Sequence, residues 1–127
     1  MANRRMFSKD IINSDSFLDL SVFARDLYIH LSMEADDRGY ISNSMSVLRS
    51  LNLSKKELNQ LVQKKFVMSR PKGLILIKGW KINNYIQPDR FVETKYVDDL
   101  KSLYYDENNS YTEVPTEKPC IQSVSKL

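Results

Sequence analysis

Leu20, Ala24, Leu27, Leu31 and Ala35 recur at spacings of three and four, with Tyr28 beside them. That period predicts an amphipathic helix over residues 21–35, with Ser21 placed to cap it. His30 lies one position off the apolar stripe, where a packed or half-exposed imidazole is expected and not a ligand. Ahead of this helix, Ser8 to Leu20 mixes the apolar pairs Ile11-Ile12 and Phe17-Leu18 with small polar residues. It reads as a lead-in segment with a short helix around Asp15 to Leu20. After the helix, Asp36-Asp37-Arg38-Gly39 supplies a turn, since Gly39 takes positive φ without steric cost. Tyr40-Ile41 is short and β-prone, and Ser42-Asn43 is positioned to cap a further helix over about 44–51, with Met45, Leu48 and Leu51 on its buried side.

Asn52-Leu53 breaks that helix, and Ser54-Lys55-Lys56-Glu57 fits a capping box. Leu53 and Leu58 suit the hydrophobic staple that accompanies such a box. Leu58, Leu61, Val62 and Phe66 form one apolar face, while Lys56, Asn59, Gln60 and Gln63 fall on the opposite face as one polar stripe. Two short helices joined by a tight turn make a helix-turn-helix. Phe66-Val67-Met68 and Leu74-Ile75-Leu76-Ile77 then read as strands around Ser69-Arg70-Pro71-Lys72-Gly73, a hairpin with a basic tip. Tyr40-Ile41 is available as a third strand. Helix, strand, helix, helix, hairpin is the order of a winged helix. The expected fold is therefore mainly α with a small β-hairpin wing (α+β), a winged helix-turn-helix with a C-terminal extension.

Beyond the hairpin the pattern weakens. Trp80 to Ile86 is too short to assign, and Trp80 and Tyr85 are expected to cover the open side of the core. Residues 96–105 suit a helix, or Leu103-Tyr104-Tyr105 pairs across a polar turn with Tyr111-Thr112. Residues 115–127, with two prolines and little apolar pattern, read as a disordered tail holding Cys120. The division expected is a winged helix-turn-helix domain over 1–95, an extension over 96–114 and the tail.

The chain has 127 residues, about one ordinary domain, at 42% hydrophobic and 28% charged, a globular composition. The longest apolar run, Leu74 to Ile77, is far short of the roughly 20 residues of a membrane span. The basic start, Met1 to Phe7, leads into no apolar h-region, so no signal peptide is expected and a cytoplasmic location is. One cysteine excludes an internal disulfide, and one histidine removes most metal sites.

The net charge of +3 conceals a marked asymmetry. Residues 1–48 hold 5 Lys/Arg against 7 Asp/Glu, residues 49–95 hold 11 against 3, and residues 96–127 hold 3 against 6. The middle third therefore carries a net +8, which points to a polyanionic partner.

Catalytic chemistry finds little support. Gly39, Gly73 and Gly79 form neither a phosphate loop nor a dinucleotide fingerprint. Glu34, Asp36 and Asp37 are the one acidic cluster, but they sit at a helix end before Gly39, where polar turn residues belong anyway. No catalytic residue, metal or cofactor is expected. Double-stranded DNA binding draws on several features at once. Lys56, Asn59, Gln60 and Gln63 can reach phosphates or purine edges in a major groove. Lys55 and Lys64 flank them as phosphate contacts, Arg70 and Lys72 occupy the wing tip, and Arg4 and Arg5 are candidates for a basic arm.

Several blocks also resemble a known family. Arg4 to Lys9, Asp15 to Leu20, Met33 to Asp37 with Gly39-Tyr40-Ile41, and Ile77 to Ile86 are similar to the N-terminal region of phage and prophage replication proteins. These are the replisome-organiser or DnaD-like initiators of bacteria with low-GC genomes, and the likeness spans residues 3–112. It implies a winged-helix domain that binds origin DNA, often as an oligomer, helps recruit host replication proteins and has no catalytic residues. Fuller members continue into a second domain that engages the helicase or its loader, whereas this chain ends after a short tail. Arg49 to Lys65 matches only in pattern, so no DNA sequence preference carries over. The expectation is a non-catalytic DNA-binding protein of phage origin acting in replication initiation. The alternative is a phage-encoded protein-binding inhibitor or adaptor of a host nuclease or defence complex, using apolar patches around Trp80, Tyr85 and Tyr104.

Overall fold

A computed structural model of the chain describes residues 4–121. It is mixed α+β, with one three-stranded and one two-stranded antiparallel sheet. Two single-turn helices, α1 (Lys9–Ile12) and α2 (Asp15–Leu18), lead into α3 (Val22–Glu34). Ser21 caps α3 as expected, its hydroxyl accepting from the Ala24 N–H at 3.1 Å. The apolar stripe of α3 forms the centre of the core, and Ala24, Leu27 and Leu31 are wholly buried.

The turn after α3 delivers β1 (Tyr40–Ile41), followed by α4 (Ser44–Ser50) and α5 (Lys55–Gln63). Asn43 occupies the N-cap of α4 but makes no side-chain cap bond, and its amide donates instead to Glu34 Oε1 at 3.3 Å. The capping box of α5 forms. Ser54 Oγ accepts from the Lys56 N–H at 3.2 Å, and the Glu57 carboxylate accepts from the Ser54 N–H at 3.0 Å.

β2 (Val67–Ser69) and β3 (Ile75–Ile77) form the expected hairpin, and β1 adds to its other edge in the order β1-β3-β2. Tyr40 pairs with Leu76 and Ile41 with Ile75, while Val67, Met68 and Ser69 pair with Ile77, Leu76 and Ile75. As the central strand, β3 buries all three residues, so it reads as a continuous apolar run. Phe66 lies just before β2 and joins Phe17 and Tyr28 in an edge-to-face aromatic cluster with centroid separations of 5.6–5.8 Å.

The short helix α6 (Trp80–Asn83) closes the open side of this core. Trp80 is buried, its indole donating to the Asp37 carbonyl at 3.0 Å, and Asn83 donates to the buried Tyr28 hydroxyl at 2.9 Å. Tyr85 departs from expectation. It follows the end of α6, points away from the core and is 68% exposed.

In the C-terminal region the strand pairing forms, and the helix expected over 96–105 is confined to a single turn. Residues Val97–Leu100 form α7, and β4 (Tyr104–Tyr105) pairs with β5 (Tyr111–Thr112). Leu100, Leu103, Tyr105 and Tyr111 belong to the same core cluster as α3 and β3. The predicted disordered tail needs correction over residues 115–121. Lys118 accepts from the Tyr105 N–H at 2.8 Å, the Cys120 N–H donates to Leu103 at 3.2 Å, and Cys120 is buried. Backbone hydrogen bonds anchor this segment, and they require no hydrophobic pattern. Residues 122–127 of the expected tail lie outside the described residues.

Candidate nucleic-acid interface

The two faces of α5, the candidate recognition element, differ sharply. Leu58 and Leu61 are buried against the core, and the capping box fixes the first turn. Lys55, Lys56, Asn59, Gln63 and Lys64 are exposed on the outward side. Gln60, also expected there, is half-buried, and its Oε1 accepts from the Ser21 hydroxyl at 3.0 Å. The stripe thus runs beside the start of α3, and Ser21 and Phe23 share a shallow groove with Lys56, Asn59 and Gln63. Phe23 was not among the expected residues. Its signal was present in the period, since position 23 falls off the apolar stripe of α3 and is solvent-exposed. Glu57 tempers the positive charge beside it. The Ser54 N–H and hydroxyl hold its carboxyl below the usual carboxylate range.

The hairpin tip does not present the pair of cations expected of it. Arg70 turns inward, with 7% of its side chain exposed. Its Nε and Nη2 donate to Asp99 at 2.9 and 3.0 Å, and Nη1 donates to Glu113 at 2.7 Å. The C-terminal extension supplies both carboxylates, so its acidic residues consume part of the basic third of the chain. Lys78 does likewise, donating to the Tyr111 carbonyl and lying 4.0 Å from Asp106. Lys72 alone of the predicted pair is exposed at the tip. It takes a left-handed conformation at φ 63°, in a one-turn 3-10 segment closed by the Arg70 N–H donating to Leu74 at 2.7 Å.

The basic arm also needs correction. Arg4 is exposed, but Arg5 is not free. Its guanidinium donates to the Ala35 carbonyl at 2.6 Å, lies 3.4 Å from Asp37 and stacks over Trp80 at 5.0 Å. Met6 and Ser8 are tied down as well, their N–H groups donating to the side chains of Asn84 and Asn83 at 2.8 and 2.7 Å. This segment is a structural strap across α6.

The acidic cluster is equally committed. Asp36 accepts from the N–H groups of Arg38 and Tyr40 and from the Thr94 hydroxyl, and Asp37 from Arg5 and the Val92 N–H. His30 lies on the exposed side of α3, 3.4 Å from Asp26. Among the described residues, no group of three or more His, Cys, Asp or Glu is arranged to hold a metal ion. No helix among them is long and apolar enough to cross a membrane. The apolar patch expected around Trp80, Tyr85 and Tyr104 does not form as such, because Trp80 is buried and Tyr104 half-buried.

No protein-family model, curated protein or solved structure matches the chain.

Proposed function

We propose that residues 22–77 form a winged helix-turn-helix in which α5 is the recognition helix and the β2–β3 loop is a minimal wing. On this reading the protein is a non-catalytic double-stranded DNA-binding protein of phage origin, acting in replication initiation in a bacterial cytoplasm. The observation that carries the proposal is the outward stripe of α5. Lys56, Asn59 and Gln63 are exposed on a helix whose other face is locked into the core, a rigid row that suits a major groove. Lys55 and Lys64 flank the row as phosphate contacts, and Lys72 reaches the neighbouring backbone. Gln60 contributes only by exchanging its bond to Ser21 for one to a base.

Fluorescence anisotropy of a labelled duplex from the protein's own genomic neighbourhood, against a random duplex and over a range of salt, tests the proposal. Tighter binding to the native site that falls steeply with salt is the expected result. A Lys56→Ala, Asn59→Ala variant is expected to weaken binding by about 1–3 kcal/mol for each base it no longer reads. No binding to either duplex at low salt overturns the reading.

A second reading, a protein-binding adaptor or inhibitor of a host nuclease or defence complex, is favoured by a different surface. Val22, Ile29 and Met33 are exposed along one line of α3. On this reading the wild-type protein captures a host partner that a Val22→Glu, Met33→Glu variant loses.

A further inference from the structure

A second concave surface lies where α6 and its following loop meet the C-terminal extension. The cavity measures about 520 Å³, within the roughly 300–1,000 Å³ typical of small-ligand sites. Its floor is Trp80 and the stacked pair Tyr105 and Tyr111, whose centroids are 5.2 Å apart. Three cations line it. The Lys81 ammonium sits 4.4 Å above the Tyr105 ring, and Lys118 lies on the rim with its ammonium donating to Asn109 Oδ1 at 3.1 Å. The Arg38 guanidinium lies 5.0 Å over the Phe91 ring. Arg38 meets Glu93 through Nε and Nη2, at 2.7 and 2.8 Å, and its guanidinium also faces the Tyr105 hydroxyl. The Asp37 carboxylate is occupied by Arg5 and the Val92 N–H, so Glu117 is the one lining carboxylate open to a ligand.

Tyr85 completes the arrangement. It is the most exposed large hydrophobic side chain described, it borders the cavity, and among the described residues no ring or cation lies over it. An exposed ring beside convergent cations is what an unpaired nucleotide requires, a stacking face for the base and donors for the phosphate. Duplex DNA offers no such base, because its faces are already stacked. We propose that this cavity binds an unpaired nucleotide, with its base on Tyr85 and its phosphate held by Lys81 and Arg38, joined by Lys118 through the donors that its bond to Asn109 leaves free. The Glu117 carboxylate repels a terminal phosphate, with its charge near −2, more than the single charge of a phosphodiester. A single strand is therefore favoured over a free mononucleotide. This inference does not depend on the α5 interface.

Trp80 is the only tryptophan of the chain and forms part of the cavity floor, so its emission reports occupancy directly. Titration with a short polydeoxyadenylate strand and, separately, with deoxyadenosine monophosphate distinguishes the two sources. A saturable emission change is expected with the strand at lower concentration than with the mononucleotide. Saturation by the mononucleotide alone identifies the free nucleotide as the ligand and upholds the site. Tyr85→Ala is expected to weaken binding at least about fivefold, the lower end for loss of one base stack. Lys81→Ala and Lys118→Ala are expected to flatten the salt dependence by about 0.7 in log–log slope for each phosphate no longer neutralised. Tyr85 and Lys118 are exposed, so both replacements leave the core unchanged. The Lys56→Ala, Asn59→Ala variant is expected to keep the emission change while losing duplex affinity, which separates failure of one site from failure of the other. No saturable change with either probe overturns the proposal, as does equal affinity in Tyr85→Ala and the wild type.

Discussion

Asp99 accepts from Arg70 Nε at 2.9 Å and Nη2 at 3.0 Å, and the same carboxylate accepts from the Tyr40 hydroxyl at 2.7 Å. One side chain of α7 thereby ties the C-terminal extension to β1 and to the hairpin. Arg70 is the cation that the hairpin withholds from its surface, so this pairing trades surface charge on the hairpin for attachment of the extension. Asp99→Ala leaves a largely buried guanidinium with Glu113 and Ser102 as its remaining side-chain partners. The expected loss is about 2–4 kcal/mol, near that for breaking one side of a buried ion pair. Glu113 is 71% exposed, and Glu113→Ala is expected to cost no more than about 1 kcal/mol. Urea denaturation of the two variants measures the contrast, and equal losses would show that Arg70 is held as a surface pair.

The same pairing sets a pH dependence. Burial pushes the Asp99 carboxyl upward, but hydrogen bonds from Arg70 and Tyr40 outweigh it and hold the group below its ordinary value. The bidentate bond from Arg38 does the same for Glu93, against a smaller effect of burial. A carboxyl whose pKa is lower folded than unfolded contributes stability above its unfolded value, near 4, and loses it as pH falls through the folded one. Stability is therefore expected to decline from about pH 5 downward. Asp99→Asn is expected to be less stable at neutral pH and to decline less steeply. Urea midpoints across the acid range measure both effects, and parallel curves for variant and wild type would refute the assignment to Asp99.

What was legible in the chain was local. Ser21 and Ser54 cap helices through atoms two or three residues away, and the period of α3 marks its buried side without reference to anything distant. The third strand was legible because Tyr40-Ile41 is β-prone and β3, apolar throughout, needs neighbours on both edges. Arg5 and Arg70 were misplaced because their partners lie 32 and 29 residues away. Nothing near an arginine in sequence tells a free cation from one whose carboxylate arrives with another element. The ordering of residues 115–121 was hidden for a similar reason, since backbone groups of β4 and Leu103 hold them. At the candidate site, the exposed row of α5 followed from helical spacing alone. The bond from Ser21 that engages Gln60 depends on how α3 and α5 cross, which spacing does not encode.

Gly39 and Trp80 approach so closely that no side chain fits between them. Gly39 has φ 96°, and a Cβ built there would meet Trp80 Cγ at 2.8 Å and Cβ at 2.9 Å. Gly39→Ala is expected to destabilise by at least about 2 kcal/mol, combining left-handed strain with overpacking. Gly73 has φ 78° with nothing within 4 Å of the added carbon, so Gly73→Ala costs only the backbone strain, about 1 kcal/mol. Thermal unfolding of the two variants, followed by Trp80 emission, separates crowding from strain. Equal losses would mean that the indole moves aside freely.

Lys72 and Arg70 belong to one loop, yet they are expected to affect duplex binding differently. Lys72→Asn removes a charge while keeping a residue that accepts the left-handed conformation. If Lys72 meets one phosphate, the replacement lowers the log–log salt slope by about 0.9 and weakens native and random duplexes alike. Arg70→Met removes a charge that Asp99 and Glu113 already neutralise. It is expected to leave the slope unchanged while lowering stability, provided binding is measured where the variant remains folded. Anisotropy titrations at several salt concentrations compare the two directly. A reduced slope in Arg70→Met would mean that DNA draws Arg70 away from Asp99, so that the extension loosens its hold on the hairpin on binding. Unchanged slopes in both variants would remove the loop from the proposed interface and leave only α5 in it.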